Sequence, residues 1–199
     1  MIEVEIKVRI ADPGLMRKKF EEKGGSFQFS LLHEDTYFNM PKDLRNFATT
    51  DEALRLRKSV EFKPSNENVK QKINYYLTYK GKKLDTSTKT REEIDLSIES
   101  LEKMRRILKI LGFQEIMTVR KERELYNFDF RDYNILALID FLPILNQYFI
   151  EVEYLADSKD QIEVSQEILF DFLHNFEIQK KDSIKESYLE LVMDKINDV

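Results

Sequence analysis

The chain has 199 residues, enough for one well-packed domain, and 42% of them are hydrophobic, with 14 phenylalanines and 9 tyrosines available for a core. It has no cysteine and only two histidines, which excludes disulfides and thiolate metal sites and argues against a zinc site. The net charge of −5 gives no basic excess for a nucleic-acid backbone, and no apolar run is long enough to span a bilayer.

The first strand is predicted over residues 2–10, where Glu3, Glu5, Lys7 and Arg9 alternate with aliphatic residues. Side chains alternate between the two faces of a strand, so the four charges share one face. Two carboxylates on this face can bind a hard divalent cation, and the lysine can meet a phosphate. For one strand alone, a solvated charged face is the simpler interpretation. Since this strand starts at residue 2, we expect no signal peptide and a cytoplasmic protein.

The next elements are a helix, an extended segment, three strands and a second helix. Asp12 and Pro13 predict the start of a helix that ends at Gly24-Gly25, and residues 26–39 follow as an extended segment. Short strands are predicted at 54–58 and 75–80, with a polar loop over 62–72 between them. A strand at 91–98 and a helix at 100–111 complete this half, and Gly112 ends the helix.

The second half contains strands near 119–128, 134–142 and 147–155, and then helices near 160–175 and 183–197. The order lacks a steady βαβ alternation, which favours an antiparallel α+β fold in a single domain over residues 1–199. If the sheet closes into a barrel with its apolar faces outward, the amphipathic helices can cover it. The charged faces then line a tunnel.

Charged residues recur on the strand faces. The six acidic ones are Glu3, Glu5, Glu93, Asp140, Glu151 and Glu153, and the seven basic ones are Lys7, Arg55, Arg57, Lys80, Arg91, Lys121 and Arg123. A solvated sheet could carry them all, because exposed ion pairs contribute little. If they face inward, burial is costly without a partner, and a polyphosphate with divalent metals is such a partner. Asp140, alone in an aliphatic strand, either caps a turn or needs a cation.

These residues fall into an ordered series of short motifs. The first is E-x-E-x-K, present as Glu3-Val4-Glu5-Ile6-Lys7. The others are Asp35-Thr36-Tyr37-Phe38, Leu54-Arg55-Leu56-Arg57, Thr78-Tyr79-Lys80-Gly81, Arg91-Glu92-Glu93, Val119-Arg120-Lys121-Glu122-Arg123, Leu138-Ile139-Asp140, Phe149-Ile150-Glu151-Val152-Glu153 and Ser187-Tyr188-Leu189-Glu190-Leu191. The series resembles the CYTH domain, or triphosphate tunnel metalloenzyme family, from residue 1 to about 191. It is most similar to the class IV adenylyl cyclase-like branch.

The resemblance implies an eight-stranded antiparallel β-barrel that forms a triphosphate tunnel, with helices packed outside. It implies Mg²⁺ or Mn²⁺ as the cofactor and ATP, tripolyphosphate or another triphosphate compound as the substrate, without a nucleic-acid or membrane partner. The branch also leaves a homodimer open. The implied metal ligands are Glu3, Glu5, Glu151 and Glu153, with Asp140 assisting. The implied catalytic residues are Glu3, Glu5 and Lys7, and the implied substrate-binding residues are Lys7, Arg55, Arg57, Lys80, Arg91, Lys121 and Arg123.

The reaction stays open between three alternatives. A class IV cyclase converts ATP to cyclic AMP and pyrophosphate, whereas a triphosphatase uses water to attack a terminal phosphorus, and both need the same triphosphate clamp. The well-defined cyclases carry a His-Phe pair before E-x-E-x-K, and only Met1-Ile2 precede it here. A non-catalytic binding module is the third alternative, but it would not need the paired carboxylates.

Two further residues carry expectations of their own. His33 lies four residues before Tyr37, and we expect a buried histidine bonded to backbone rather than a catalytic base. The loop before Glu151 reads Leu145-Asn146-Gln147, where many members of the family carry glycine, which leaves the shape of this turn open.

Overall fold

The computed structural model describes residues 2–62, 71–84 and 90–197, and its centre is an antiparallel sheet. The strands of the described part are β1 Ile2–Ile10, β2 Ser26–Asn39, β3 Ala53–Phe62, β4 Lys72–Lys80, β5 Arg91–Ile98, β6 Gln114–Phe130, β7 Tyr133–Leu142, β8 Gln147–Ala156 and β9 Ser183–Ile184. The α-helices are α1 Pro13–Glu22, α2 Phe47–Thr50, α3 Leu101–Ile110, α4 Ile162–His174 and α5 Tyr188–Asn197, and two 3₁₀ turns cover Lys159–Gln161 and Lys180–Asp182.

The sheet closes into a barrel of eight strands. Its order is β5, β4, β3, β2, β6, β7, β8 and β1, and β1 pairs back onto β5 through Ile2 and Glu3. All these pairings are antiparallel, and β1 pairs with β8 along its whole length. The predicted α+β fold with a closed antiparallel barrel is therefore confirmed. Closure leaves no edge strand among these eight, and it separates an inner from an outer face.

The outer face of the barrel is apolar and the helices pack on it. Val4, Ile6 and Val8 of β1 are buried in one cluster with side chains of α1 and α4. Leu54 and Leu56 of β3 are buried in a second cluster, which includes residues of α3. The hydrophobic effect thus holds the helices outside and turns the alternate, charged residues of the same strands inward. Among the described residues, no helix is both long and apolar enough to cross a membrane.

The predicted helix ends are explained by local chemistry. The Asp12 carboxylate accepts a hydrogen bond from the Leu15 N–H at 2.9 Å, which caps α1. Gly24 and Gly112 follow the ends of α1 and α3 with φ values of 87° and 86°, a left-handed conformation that glycine adopts at little cost. Asn146 takes the same region with φ 48°, so the β7–β8 turn uses an asparagine, which tolerates the left-handed conformation better than most residues.

Some predicted bounds were wrong. Strands β3 and β4 extend beyond 54–58 and 75–80, because they continue to pair as far as Glu61 opposite Lys72. The predicted loop over 62–72 is thereby shortened at both ends, and its residues 63–70 lie outside the described part. The last helix begins at Tyr188 rather than near 183, since Ser183 and Ile184 pair with β1 beyond the end of β5. The four-residue helix α2 was not predicted.

Candidate active site

The interior of the barrel contains a cavity of about 670 Å³. The predicted site residues that line it are Glu3, Glu5, Arg55, Arg57, Lys80, Arg91, Lys121, Arg123, Glu151 and Glu153. The remaining two, Lys7 and Asp140, are fully buried next to the cavity. Lys7 lies against the ring of Tyr188 and Asp140 lies near Lys121, and both of these neighbours line the cavity. All the site residues predicted from the sequence are therefore brought together by the fold.

Several charges inside the tunnel form ion pairs between directly opposite residues of neighbouring strands. Asp35 of β2 lies opposite Arg57 of β3, and two guanidinium nitrogens donate to its carboxylate at 2.6 and 2.7 Å. Lys80 of β4 lies opposite Glu93 of β5 and donates to it. Burial opposes ionisation of Asp35, but the adjacent arginines outweigh it and hold the pKa of this carboxyl well below its usual value. Burial also opposes ionisation of Glu93, and Lys80 with Arg55 nevertheless lowers its pKa.

Arg123 links two of the predicted metal ligands. It lies opposite Asp140 on the neighbouring strand, and its Nε and Nη2 donate to the two carboxylate oxygens at 2.7 and 2.6 Å. The same Nη2 also donates to Glu151. The guanidinium is 8% exposed and Asp140 is completely buried, so this is a charge cluster shielded from water. Asp140 and Glu151 thus accept hydrogen bonds from Arg123, and Nη1 of the same guanidinium lies 3.6 Å from the carboxylate of Glu153, which also belongs to the acidic group described next.

One cross-strand pair brings like charges together. Glu5 of β1 lies directly opposite Glu153 of β8, and Glu3 is the next inward residue along β1. One carboxylate oxygen from each of these three residues lies within 4.8 Å of the others. Like charges placed opposite each other destabilise a sheet unless something neutralises them. Oxygen donors at this spacing are the ligands that Mg²⁺, Mn²⁺ and Ca²⁺ take in proteins.

The pKa values of Glu3 and Glu153 reflect their burial and the crowding of carboxylates around them. Burial, with the nearby carboxylates of Glu93 and Glu5, raises the pKa of Glu3 to about 7 against the opposing effect of Lys80. Burial and then the charge of Glu3 hold the pKa of Glu153 well above its usual value. These directions indicate a site where negative charge is in excess, which is the electrostatic condition that a cation relieves.

Two lysines face an aromatic ring deeper in the tunnel. The Nζ atom of Lys7 lies 4.0 Å from the centroid of the Tyr188 ring, and that of Lys121 lies 4.9 Å from it. Lys121 Nζ is also 3.8 Å from the Asp140 carboxylate. Burial, followed by the charge of Arg123, lowers the pKa of Lys121 to about 8. Positive charge is thus concentrated near Tyr188, beyond the acidic group on β1.

Arg55 and Arg91 donate hydrogen bonds to neutral groups, and the nearest described carboxylates lie farther from them than from Arg57 or Arg123. Arg55 Nη2 donates to the Thr78 hydroxyl at 3.0 Å and its Nη1 is 3.9 Å from Asp35. Arg91 Nη1 donates to the Gly81 carbonyl at 3.3 Å, and its Nη2 is 3.7 Å from Asp51. Within the part of the chain that the structure describes, these two guanidinium groups line the cavity with weaker ion pairs than those of Arg57 and Arg123.

Sequence reasoning gave no role to two residues of the tunnel and expected a different contact for a third. Asp35 and Tyr188 both occur in the motifs. Their partners, an arginine for Asp35 and two lysines for the Tyr188 ring, depend on which strands become neighbours in the barrel. His33 is buried as expected, but its Nε2 lies 3.1 Å from the Ser59 hydroxyl instead of bonding to backbone. Burial and the nearby Arg57 hold the pKa of His33 well below its usual value, so this ring is neutral.

Comparison with known proteins matches the chain along nearly its whole length. The profile of the CYTH domain matches residues 1–188. A protein of Methanocaldococcus jannaschii named "Putative adenylate cyclase MJ0240" is 40% identical over 192 residues, which is 96% of this chain and 98% of that protein.

Solved structures give the same result for the fold. The PH1819 protein of Pyrococcus horikoshii matches with a TM-score of 0.82 and 34% identity, over 97% of this chain and 99% of that one. A Hippeastrum protein matches with a TM-score of 0.60 and 16% identity, over 97% of this chain and 96% of that one. That protein is named "Putative adenylyl cyclase HpAC1" and is described as having a dominant triphosphatase activity.

Proposed function

Because the chain belongs to the CYTH domain family, we propose that it is a metal-dependent enzyme that acts on triphosphate compounds inside its barrel. Adenylyl cyclase chemistry, from ATP to cyclic AMP and pyrophosphate, is the first candidate. Hydrolysis of tripolyphosphate or of a nucleoside or thiamine triphosphate is the second. The cytoplasmic location and the homodimer stay predictions from the sequence.

The observation that carries this proposal is the opposition of Glu5 and Glu153. Among the described cross-strand pairs named above, Asp35 with Arg57, Lys80 with Glu93, and Arg123 with Asp140 match opposite charges, whereas Glu5 faces another glutamate. A tunnel built for stability alone would not be expected to place two glutamates directly opposite each other, because like charges at this position destabilise a sheet. The exception is explained if a divalent cation completes the site.

The chemistry of the donors fits Mg²⁺ or Mn²⁺. Glu3, Glu5 and Glu153 would hold the ion through carboxylate oxygens, and the chain has no cysteine to favour a softer metal. Such an ion supplies charge neutralisation at phosphate oxygens during phosphoryl or nucleotidyl transfer. Asp140 and Glu151, which were expected as further ligands, would instead orient Arg123 through their hydrogen bonds.

The basic residues would hold the phosphate chain. Arg55 and Arg91 are well suited, because their guanidinium groups line the cavity and their present partners are largely neutral or distant. Lys7 and Lys121 would bind from the deeper end near Tyr188. Arg57, Lys80 and Arg123 already bind carboxylates, so they would add to the positive field and shape the cavity while keeping those bonds.

Both candidate reactions use this clamp. The cyclase candidate is favoured by the name of the relative that is 40% identical to this chain. The hydrolase candidate stays open because the clamp binds the triphosphate and leaves the attacking group unspecified. The Hippeastrum protein illustrates that a protein named for one activity can carry mainly the other, although its likeness to this chain concerns the fold.

The experiment is to incubate the purified protein with Mg²⁺ or Mn²⁺ and either ATP or inorganic tripolyphosphate, and to separate the products by chromatography. Cyclic AMP with pyrophosphate supports the cyclase, and orthophosphate without cyclic AMP supports the hydrolase. Glu5→Gln should abolish either product, whereas Glu167→Gln on the exposed face of α4 should not. Binding of tripolyphosphate without turnover under all conditions would favour a non-catalytic module and contradict the proposal.

A further inference from the structure

Tyr188 is the point at which α5 reaches the inside of the tunnel. Its side chain is 6% exposed and lies against Lys7, Lys121, Asp140 and Phe149, which come from four different barrel strands. On this basis we propose that Tyr188 is a positioning residue for substrate, whose ring holds the Lys7 and Lys121 ammonium groups in place for the phosphate chain. The inference rests on the proposed function, and it assigns to α5 a part in binding that the barrel strands do not supply.

The start of α5 is fixed by reciprocal hydrogen bonds. The Glu190 N–H donates to the Ser187 hydroxyl at 3.2 Å, and the Ser187 N–H donates to the Glu190 carboxylate at 2.6 Å. This exchange is a capping box, which determines where the first helical turn begins. Tyr188 is the first residue of the helix, so the box sets the direction in which its ring enters the tunnel.

The ring faces two positive charges at once. The ammonium groups of Lys7 and Lys121 lie 4.0 and 4.9 Å from the ring centroid, both within the range of cation–π attraction. The two lysines belong to β1 and β6, which are not neighbours in the barrel. A shared aromatic face therefore brings together two like charges that the sheet itself does not join, and it offsets part of their repulsion.

The hydroxyl of Tyr188 fixes the ring from its other end. It donates to the Asp140 carboxylate at 2.8 Å, and Asp140 in turn accepts two hydrogen bonds from Arg123. The Phe149 ring packs edge-on against Tyr188 at a centroid distance of 5.2 Å. The hydrogen bond and the ring contact come from different directions and restrict rotation of the Tyr188 ring, so the lysines meet a fixed surface.

Rigidity here bears on affinity. A lysine that moves freely must be ordered when the phosphate binds, and the side-chain entropy that it loses weakens binding. If the ring already orders Lys7 and Lys121, that cost is removed from binding. Weakening the attraction between ring and ammonium should then reduce affinity for the anion while the shape of the site stays the same.

The test replaces Tyr188 with phenylalanine and with mono-, di- and trifluorophenylalanine, which keep the ring but withdraw electrons from its face in steps. The probe is a methylene-bridged tripolyphosphate, which resists hydrolysis, titrated by calorimetry in the presence of Mg²⁺. Tyr188→Phe should bind within about threefold of the wild type, and the fluorinated series should lose about tenfold in steps. Tyr188→Leu, if it folds, should match the weakest member of the series.

A buried aromatic residue far from the tunnel serves as the control. Phe172→Leu removes a ring from the outer core around α4, so it lowers stability without touching the lysines. Equal affinity across the fluorinated series, or a loss in Tyr188→Leu no larger than that in Phe172→Leu, would overturn the inference. If the wild type neither binds the probe nor turns over a triphosphate, the proposed function itself fails. The two failures are therefore distinguishable.

Discussion

Replacing Arg123 with methionine should destabilise the barrel more than any change to a surface arginine. The substitution removes two hydrogen bonds to Asp140 and one to Glu151, and it leaves two buried carboxylates without their guanidinium. Breaking a buried pair costs about 3–5 kcal/mol. Lys121 at 3.8 Å and the Tyr188 hydroxyl at 2.8 Å still face Asp140, so we expect about 3 kcal/mol, at the lower end of that range.

The assay is urea unfolding at neutral pH in the presence of a chelator. The matched control is Arg17→Met, because Arg17 donates the same two-bond fork to Glu124 at 2.7 and 2.8 Å but is 38% exposed. We expect this control to cost less than about 1 kcal/mol. Adding Asp140→Asn to Arg123→Met should restore part of the loss, since it removes one of the stranded charges. Equal losses in Arg123→Met and Arg17→Met would refute the account of the buried cluster.

Three further predictions concern other groups inside the barrel. His33→Asn should make the free energy of unfolding fall less steeply as the pH is lowered. His33 stays neutral in the folded state but is protonated in the unfolded state below pH 6.5, so in the wild type it lowers stability by about 1.4 kcal/mol per pH unit there. Equal slopes of unfolding free energy for the two proteins between pH 6 and 4.5 would contradict this. Asp35→Asn should lose about 3 kcal/mol in urea unfolding, because it removes the buried carboxylate that pairs with the half-buried Arg57, and a loss under about 1 kcal/mol would show that this pair is solvated. Glu153→Gln should not destabilise the protein in chelator, since it relieves repulsion from Glu5, and thermal unfolding well below that of the wild type would count against the crowded acidic site.

Alternation within strands was enough to predict which side chains face the tunnel. In β1 the inward residues Glu3, Glu5 and Lys7 and the outward residues Val4 and Ile6 follow directly from the two-residue period. The same reasoning applies to the other strands, and the helices that cover the barrel were predicted from their apolar stripes. Bounds were less certain, because the ends of strands depend on how far their neighbours continue to pair.

The partners of the charges could not be predicted, because they depend on register between strands that are distant in sequence. Arg123 was expected to bind phosphate and Asp140 to assist a metal, but β6 and β7 place them directly opposite each other. The pairing of β1 with β8 instead sets Glu5 against Glu153. A shift of one residue in either pairing would give different neighbours, so composition and alternation alone cannot tell which acidic residue faces an arginine and which faces another carboxylate.

The central claim is that Glu3, Glu5 and Glu153 form a site for a divalent cation that serves a triphosphate. Its most direct test is a titration of the protein with Mn²⁺, followed by electron paramagnetic resonance, for the wild type, Glu5→Gln and the exposed-surface control Glu167→Gln. We predict saturable Mn²⁺ binding in the wild type and the control, tightened by a non-hydrolysable triphosphate, and binding weakened about tenfold or more in Glu5→Gln. Equal Mn²⁺ affinity in all three proteins would contradict the account.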